Sequence, residues 1–75
     1  MRADKRSRTD FIILDYRAKK LGGINKLSKP EQNTYVKTGY SKGFLKREVV
    51  EELVNELHLD LDLESFWILN TPEEN

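Results

Sequence analysis

Leu45, Val49, Val50, Leu53, Val54 and Leu57 recur at i, i+4, i+5, i+8, i+9 and i+12. That spacing lays a single apolar stripe along about three helical turns. Glu48, Glu51, Glu52, Asn55 and Glu56 fill the opposite side. The consequence is an amphipathic helix over 44–58 whose stripe the rest of the chain must cover. With 75 residues there is one small domain to do it, because a chain this short buries only ~60–65% of its unfolded surface. There is no cysteine, so neither disulfides nor thiolate metal sites reinforce the fold. The longest apolar runs, 11–14 and 66–69, are four residues each, far short of the ~18 needed to span a membrane. The basic start from Met1 to Arg6 leads into no apolar segment of signal-peptide length. A cytoplasmic protein is expected, with a flexible basic arm over 1–9, one domain over 10–70 and a loose acidic tail over 71–75.

Three further segments accompany the main helix. Thr9-Asp10 offers an N-cap, and Gly22 suits the left-handed position after a helix end rich in Arg17, Lys19 and Lys20. Between them, Ile13, Tyr16 and Leu21 share one face with the stems of Arg17 and Lys20, and Leu14 and Ala18 lie beside it. Ser28-Lys29-Pro30-Glu31 has the form of a capping box with proline in the first turn, which predicts a helix over 29–38 closed by Gly39. Asp62 precedes Leu63-Glu64-Ser65-Phe66-Trp67-Ile68-Leu69 as the cap of a short last helix, with Leu63, Phe66, Trp67 and Leu69 supplying core. These elements predict an all-α domain of three or four helices. Segments 11–16, 34–40 and 65–69 are also rich in strand formers, so the alternative is an α+β domain with three strands around the helix 44–58.

Charge is distributed unevenly. All thirteen basic residues lie at or before Arg47, with four acids among them, Asp4, Asp10, Asp15 and Glu31; the other nine acids follow. Residues 1–47 therefore carry +9 and residues 48–75 carry −9, within a net charge of zero. Such asymmetry points to nucleic-acid binding or to a charged protein interface. The two halves can also attract each other, within one chain or between two copies, which makes a homodimer a candidate state.

The sequence contains little catalytic chemistry. His58 is the only histidine, so there is no histidine pair for a metal and no relay with a cysteine. Asp60-Leu61-Asp62-Leu63-Glu64 sets leucines between its acids and lacks the glycine of a calcium loop. Gly39-Tyr40-Ser41-Lys42-Gly43 has phosphate-loop residue types in the wrong order. No enzyme, metal or cofactor is expected.

Two clusters remain. Lys42, Lys46 and Arg47 crowd the start of the main helix, where the macrodipole is already positive. A local rule broken there is a reason to look for an anion, and phosphate is the obvious one. Asn33, Tyr35, Lys37 and Tyr40 lie nearby in sequence and suit contacts with a nucleic-acid backbone or groove. Arg6 and Arg8 in the arm add to the basic set.

The stretch from Asn33-Thr34-Tyr35-Val36-Lys37-Thr38-Gly39 through Leu57-His58-Leu59 to Asp62-Leu63-Glu64-Ser65-Phe66 resembles the latter half of the small helix-turn-helix domains of phage repressors. In those, a recognition helix ending near a glycine precedes a longer helix and a short capped one. The resemblance implies that Asn33, Thr34 and Lys37 fall on the groove-facing helix. The combined expectation is a small transcription regulator binding nucleic acid through its basic half. The alternative is a protein-binding modulator, of antirepressor or polymerase-binding type, that presents Glu48, Glu51, Glu52 and Glu56 to its partner.

Overall fold

The computed structural model describes residues 8–70. They form four α-helices and one 3₁₀ turn: α1 (Arg8–Leu21), the turn Ile24–Lys26, α2 (Lys29–Ser41), α3 (Arg47–Leu57) and α4 (Leu63–Leu69). No strand occurs among the described residues, so the domain is all-α. The strand propensity of 11–16, 34–40 and 65–69 is overridden because each segment buries one helical face. The acidic tail 71–75, and most of the arm with Arg6, lie outside the described residues. Arg8 and Thr9, expected in the arm, are the first residues of α1.

In α1 the core face differs from the expected one. Phe11, Leu14 and Ala18 are buried, whereas Ile13, Tyr16 and Leu21 are at least half exposed. The choice is made by packing: the Phe11 ring stacks on Tyr35 of α2 and on Phe44, each at 4.6 Å. Asp10 sits inside the first turn and does not act as the N-cap. The C-terminal end follows expectation, with Gly22 at φ 105° and the N–H groups of Gly22 and Gly23 both donating to the Ala18 carbonyl.

The capping box of α2 forms. The Glu31 N–H donates to Ser28 Oγ at 3.3 Å, and the Ser28 N–H donates to Glu31 Oε1 at 3.1 Å. The Ser28 amide, together with the Arg17 guanidinium, holds the Glu31 carboxyl below its ordinary range. The helix does not end at Gly39 but continues to Ser41. Gly39 is needed instead for close approach: a Cβ built there would lie 2.5 Å from Leu45 Cδ1 and 2.6 Å from Phe11 Cε1. Leu45 can rotate, but the Phe11 ring is held between two others. Gly39→Ala is therefore expected to destabilise by about 1–2 kcal/mol, an overpacking cost of ~2–3 kcal/mol, the upper part of the usual range for contacts this close, less the ~1 kcal/mol that alanine gains in a helix. For a domain of this size the melting temperature should fall by roughly 5–15 °C. An unchanged or raised value would show that the Phe11 stack yields.

The main helix starts later than its stripe predicts. The N–H groups of Phe44 and Leu45 both donate to the Gly39 carbonyl, at 2.8 and 2.9 Å, after a turn through Gly43 at φ 87°. Those bonds hold 44–45 outside the helix, and Lys46 becomes an extended N-cap without a side-chain cap bond. At the other end His58 takes the left-handed conformation, φ 55°. The Lys29 ammonium donates to the Leu57 carbonyl there, linking α2 to the end of α3. Val50, Val54 and Leu57 are buried, Leu45 and Leu53 are partly buried, and Val49 is exposed.

Asp62 is the N-cap residue of α4, and its carboxylate accepts from the Ser65 hydroxyl at 3.1 Å rather than from a backbone amide. Phe66 is buried and Trp67 half-buried, whereas Leu69, expected in the core, is 78% exposed. A helix of seven residues can turn only a narrow face inward.

Candidate nucleic-acid interface

Because α1 and α2 run antiparallel through a short connection, the start of α1 meets the end of α2. The loop 42–46 then turns directly into α3. The first described turn of α1 and the N-terminus of α3 thus lie at the same end of the described residues. Phe44, in the middle of that loop, stacks on Phe11 and carries the Arg8 guanidinium 5.8 Å above its ring. Across the loop, the Arg47 guanidinium lies 4.5 Å over the Trp67 ring. Trp67 is in turn packed on Tyr40 and Phe66, with centroids at 5.0 and 5.2 Å. Arg8, Lys42, Lys46 and Arg47 are therefore gathered at one pole, two of them placed by cation–π contacts. Arg8, Lys46 and Arg47 are exposed and Lys42 is half-buried.

Neither aromatic contact was legible in the sequence. Phe44 and Trp67 are far along the chain from their arginine partners, and only the packing of α1 on α2 and of Trp67 on Tyr40 of α2 joins them. A signal existed at one point: Arg47 is the last base of the chain and the first residue of its helix, where an unsupported cation is unfavourable.

The groove-facing set is placed differently. Asn33, Thr34 and Lys37 lie on α2, the central helix, and are half-buried; no residue from 31 to 41 is exposed. The Asn33 Oδ1 is enclosed without a hydrogen-bond partner. Asn33, Thr34 and Lys37 share α2 with Tyr35, Val36 and Thr38, which are buried in the core. Tyr35, also expected near the basic cluster, is buried between α1 and α2. Its hydroxyl donates to Asp15 Oδ1 at 3.1 Å.

Burial, and then the Asp15 carboxylate, push the Tyr35 pKa up to about 12. In the unfolded chain it is ordinary, about 10. As pH rises the unfolded state releases this proton first, so the stabilisation is intact below pH ~10 and is lost as pH rises to ~12. It amounts to about 2–3 kcal/mol. Melting temperature followed through that window should fall steeply in the wild type, and less steeply in Tyr35→Phe, which has no proton to lose. Equal slopes would place the alkaline loss elsewhere.

On α3, Glu48, Glu51, Glu52 and Glu56 are all exposed and make no ion pair among the described residues. The two ion pairs seen there, Arg17 with Glu31 and Lys19 with Asp15, both use acids of the basic half. The acidic ridge thus remains open to a partner. No group of three or more metal-ligating side chains comes together among the described residues, and no helix of the described residues is long and apolar enough to cross a membrane. Comparison with protein-family models, with curated proteins and with solved structures found no match.

Proposed function

We propose that this protein is a small cytoplasmic regulator, not an enzyme, that binds nucleic acid by its phosphate backbone through the pole formed by Arg8, Lys42, Lys46 and Arg47. The observation that carries this reading is the arrival of Arg8, from the start of α1, on the loop that already holds the other three cations. Four cations beside the N-terminus of α3 form a strong anion site, since its first N–H groups, left without a side-chain cap, and the macrodipole act in the same sense as the side chains. Phosphate contacts fix position without reading sequence. Arg6, outside the described residues, is included in the basic set on its charge alone, and transcription is the process such a binder would regulate.

The second reading, a protein-binding modulator using Glu48, Glu51, Glu52 and Glu56, is favoured by the open acidic ridge of α3. Titration of fluorescent duplex DNA, single-stranded DNA and RNA at about 50 mM salt separates the two, because phosphate binding is strongest at low salt. Binding to any of them supports the first reading. No binding to any would overturn it and leave the acidic ridge as the working surface.

A further inference from the structure

The outer face of α1 carries an apolar patch that the domain does not use. Ile12, Ile13 and Tyr16 are 55%, 51% and 62% exposed, and they lie within one turn on the side facing away from Phe11, Leu14 and Ala18. Lys20 continues the patch one turn further, with its ammonium 5.5 Å over the Tyr16 ring and no ion pair among the described residues. Elsewhere on the molecule, the 3₁₀ turn and α3 border an open cleft of about 340 Å³, lined by Ile24, Leu53 and Leu57 together with the polar Asn25 and Glu56. Glu52 lies one turn before Glu56 on α3, and it too is exposed.

We infer that the α1 face of one copy docks into the cleft between the 3₁₀ turn and α3 of a second copy, with Lys20 meeting Glu56. Charge decides between the possible occupants of each surface. Arg8, Arg17, Lys19 and Lys20 against Asp10 and Asp15 give α1 a charge of +2, whereas Arg47 against Glu48, Glu51, Glu52 and Glu56 gives α3 −3. Pairing α1 with α1 would bring like charges together; pairing α1 with α3 matches apolar with apolar and cation with anion. An amphipathic helix seated in a groove that offers it apolar side chains is a recurrent mode of recognition, and here the polar part of the lining, with Glu56, sets its orientation by charge. The contact joins two different surfaces, so it is heterologous and either closes into a small ring or continues as a chain. It uses neither Lys42 nor Lys46, and it stands whether or not the basic pole binds nucleic acid. With three apolar anchors it falls at the small end of protein interfaces.

Sedimentation of the full chain across a range of concentrations, at about 0.1 M and about 1 M salt, reads the association directly. Over that range the screening length falls from ~10 to ~3 Å. The wild type should self-associate at low salt and weaken at least severalfold at high salt. Ile13→Ser, which leaves every charge in place, should weaken association about tenfold, with helical circular dichroism unchanged. Lys20→Glu and Glu56→Lys should each weaken it alone, and an equimolar mixture of the two should recover it. In that mixture, every contact between unlike chains pairs opposite charges: the reversed charge of one variant faces the reversed charge of the other, and the native Lys20 of the second faces the native Glu56 of the first. A wild type that stays monomeric at all concentrations overturns the inference. So does association indifferent to Ile13→Ser, or a mixture that recovers nothing.

Discussion

Replacing Lys42, Lys46 and Arg47 with Ser, Gln and Gln is expected to flatten the salt dependence of duplex binding by roughly 2–3 units of log K per log salt, about 0.9 for each phosphate no longer neutralised. The physical basis is counterion release: each cation seated on a phosphate frees a condensed ion, and the gain shrinks as bulk salt rises. Binding should weaken equally for all sequences, because phosphate contacts carry no base information. The fold should survive. Lys46 is an N-cap that makes no side-chain cap bond, and removing cations from a helix N-terminus relieves a conflict with the macrodipole. The change at Arg47 does remove the guanidinium from the Trp67 ring, at a cost of about 0.5–1 kcal/mol for an exposed cation–π pair. Fluorescence titrations at four or more salt concentrations measure the slope. If the variant binds with the wild-type slope, the phosphates are held by Arg8 and the preceding arm, or by the cations at the far end of α1. Arg17 and Lys19 are already paired there with carboxylates.

Phe66→Ala is expected to abolish the cooperative thermal transition. The ring is 3% exposed and sits between Tyr40 and Trp67, at 5.6 and 5.2 Å. Removing a buried phenylalanine costs ~3–5 kcal/mol, and a core this small supplies about the same in total. Leu53→Ala and Trp67→Ala should cost less, since both side chains are only partly buried against the core; each should lower the melting temperature yet leave a transition. Differential scanning calorimetry of the three variants orders them. A Phe66→Ala protein that melts within a few degrees of wild type would mean that α4 contributes little to the core. The domain would then rest on α1, α2 and α3.

Local devices were legible in the sequence because their partners are near in the chain. Ser28 and Glu31 are three residues apart, so the capping box that starts α2 forms with little help from the rest of the fold. Gly22 stops α1, and the stripe ending at Leu57 identifies the main helix, for the same reason: a spacing of three or four residues is itself the geometry of a helix. The split of charge between the halves is also a property of the chain alone. Tertiary structure decided which face of each helix turned inward. Along α1, two apolar faces compete, and Phe11, Leu14 and Ala18 win because Tyr35 and Phe44 stack on Phe11, leaving Ile12, Ile13 and Tyr16 outside. Gly39, in a sequence position typical of a helix stop, became a contact point inside α2, because Leu45 and Phe11 approach it more closely than any Cβ would allow. The bonds from the Phe44 and Leu45 amides to the Gly39 carbonyl hold 44–45 outside α3, and Arg8 reaches Phe44, so Arg8 joins Lys42, Lys46 and Arg47 only in the folded chain. Packing compares residues tens of positions apart, and periodicity, which compares only neighbours, holds no information about that choice.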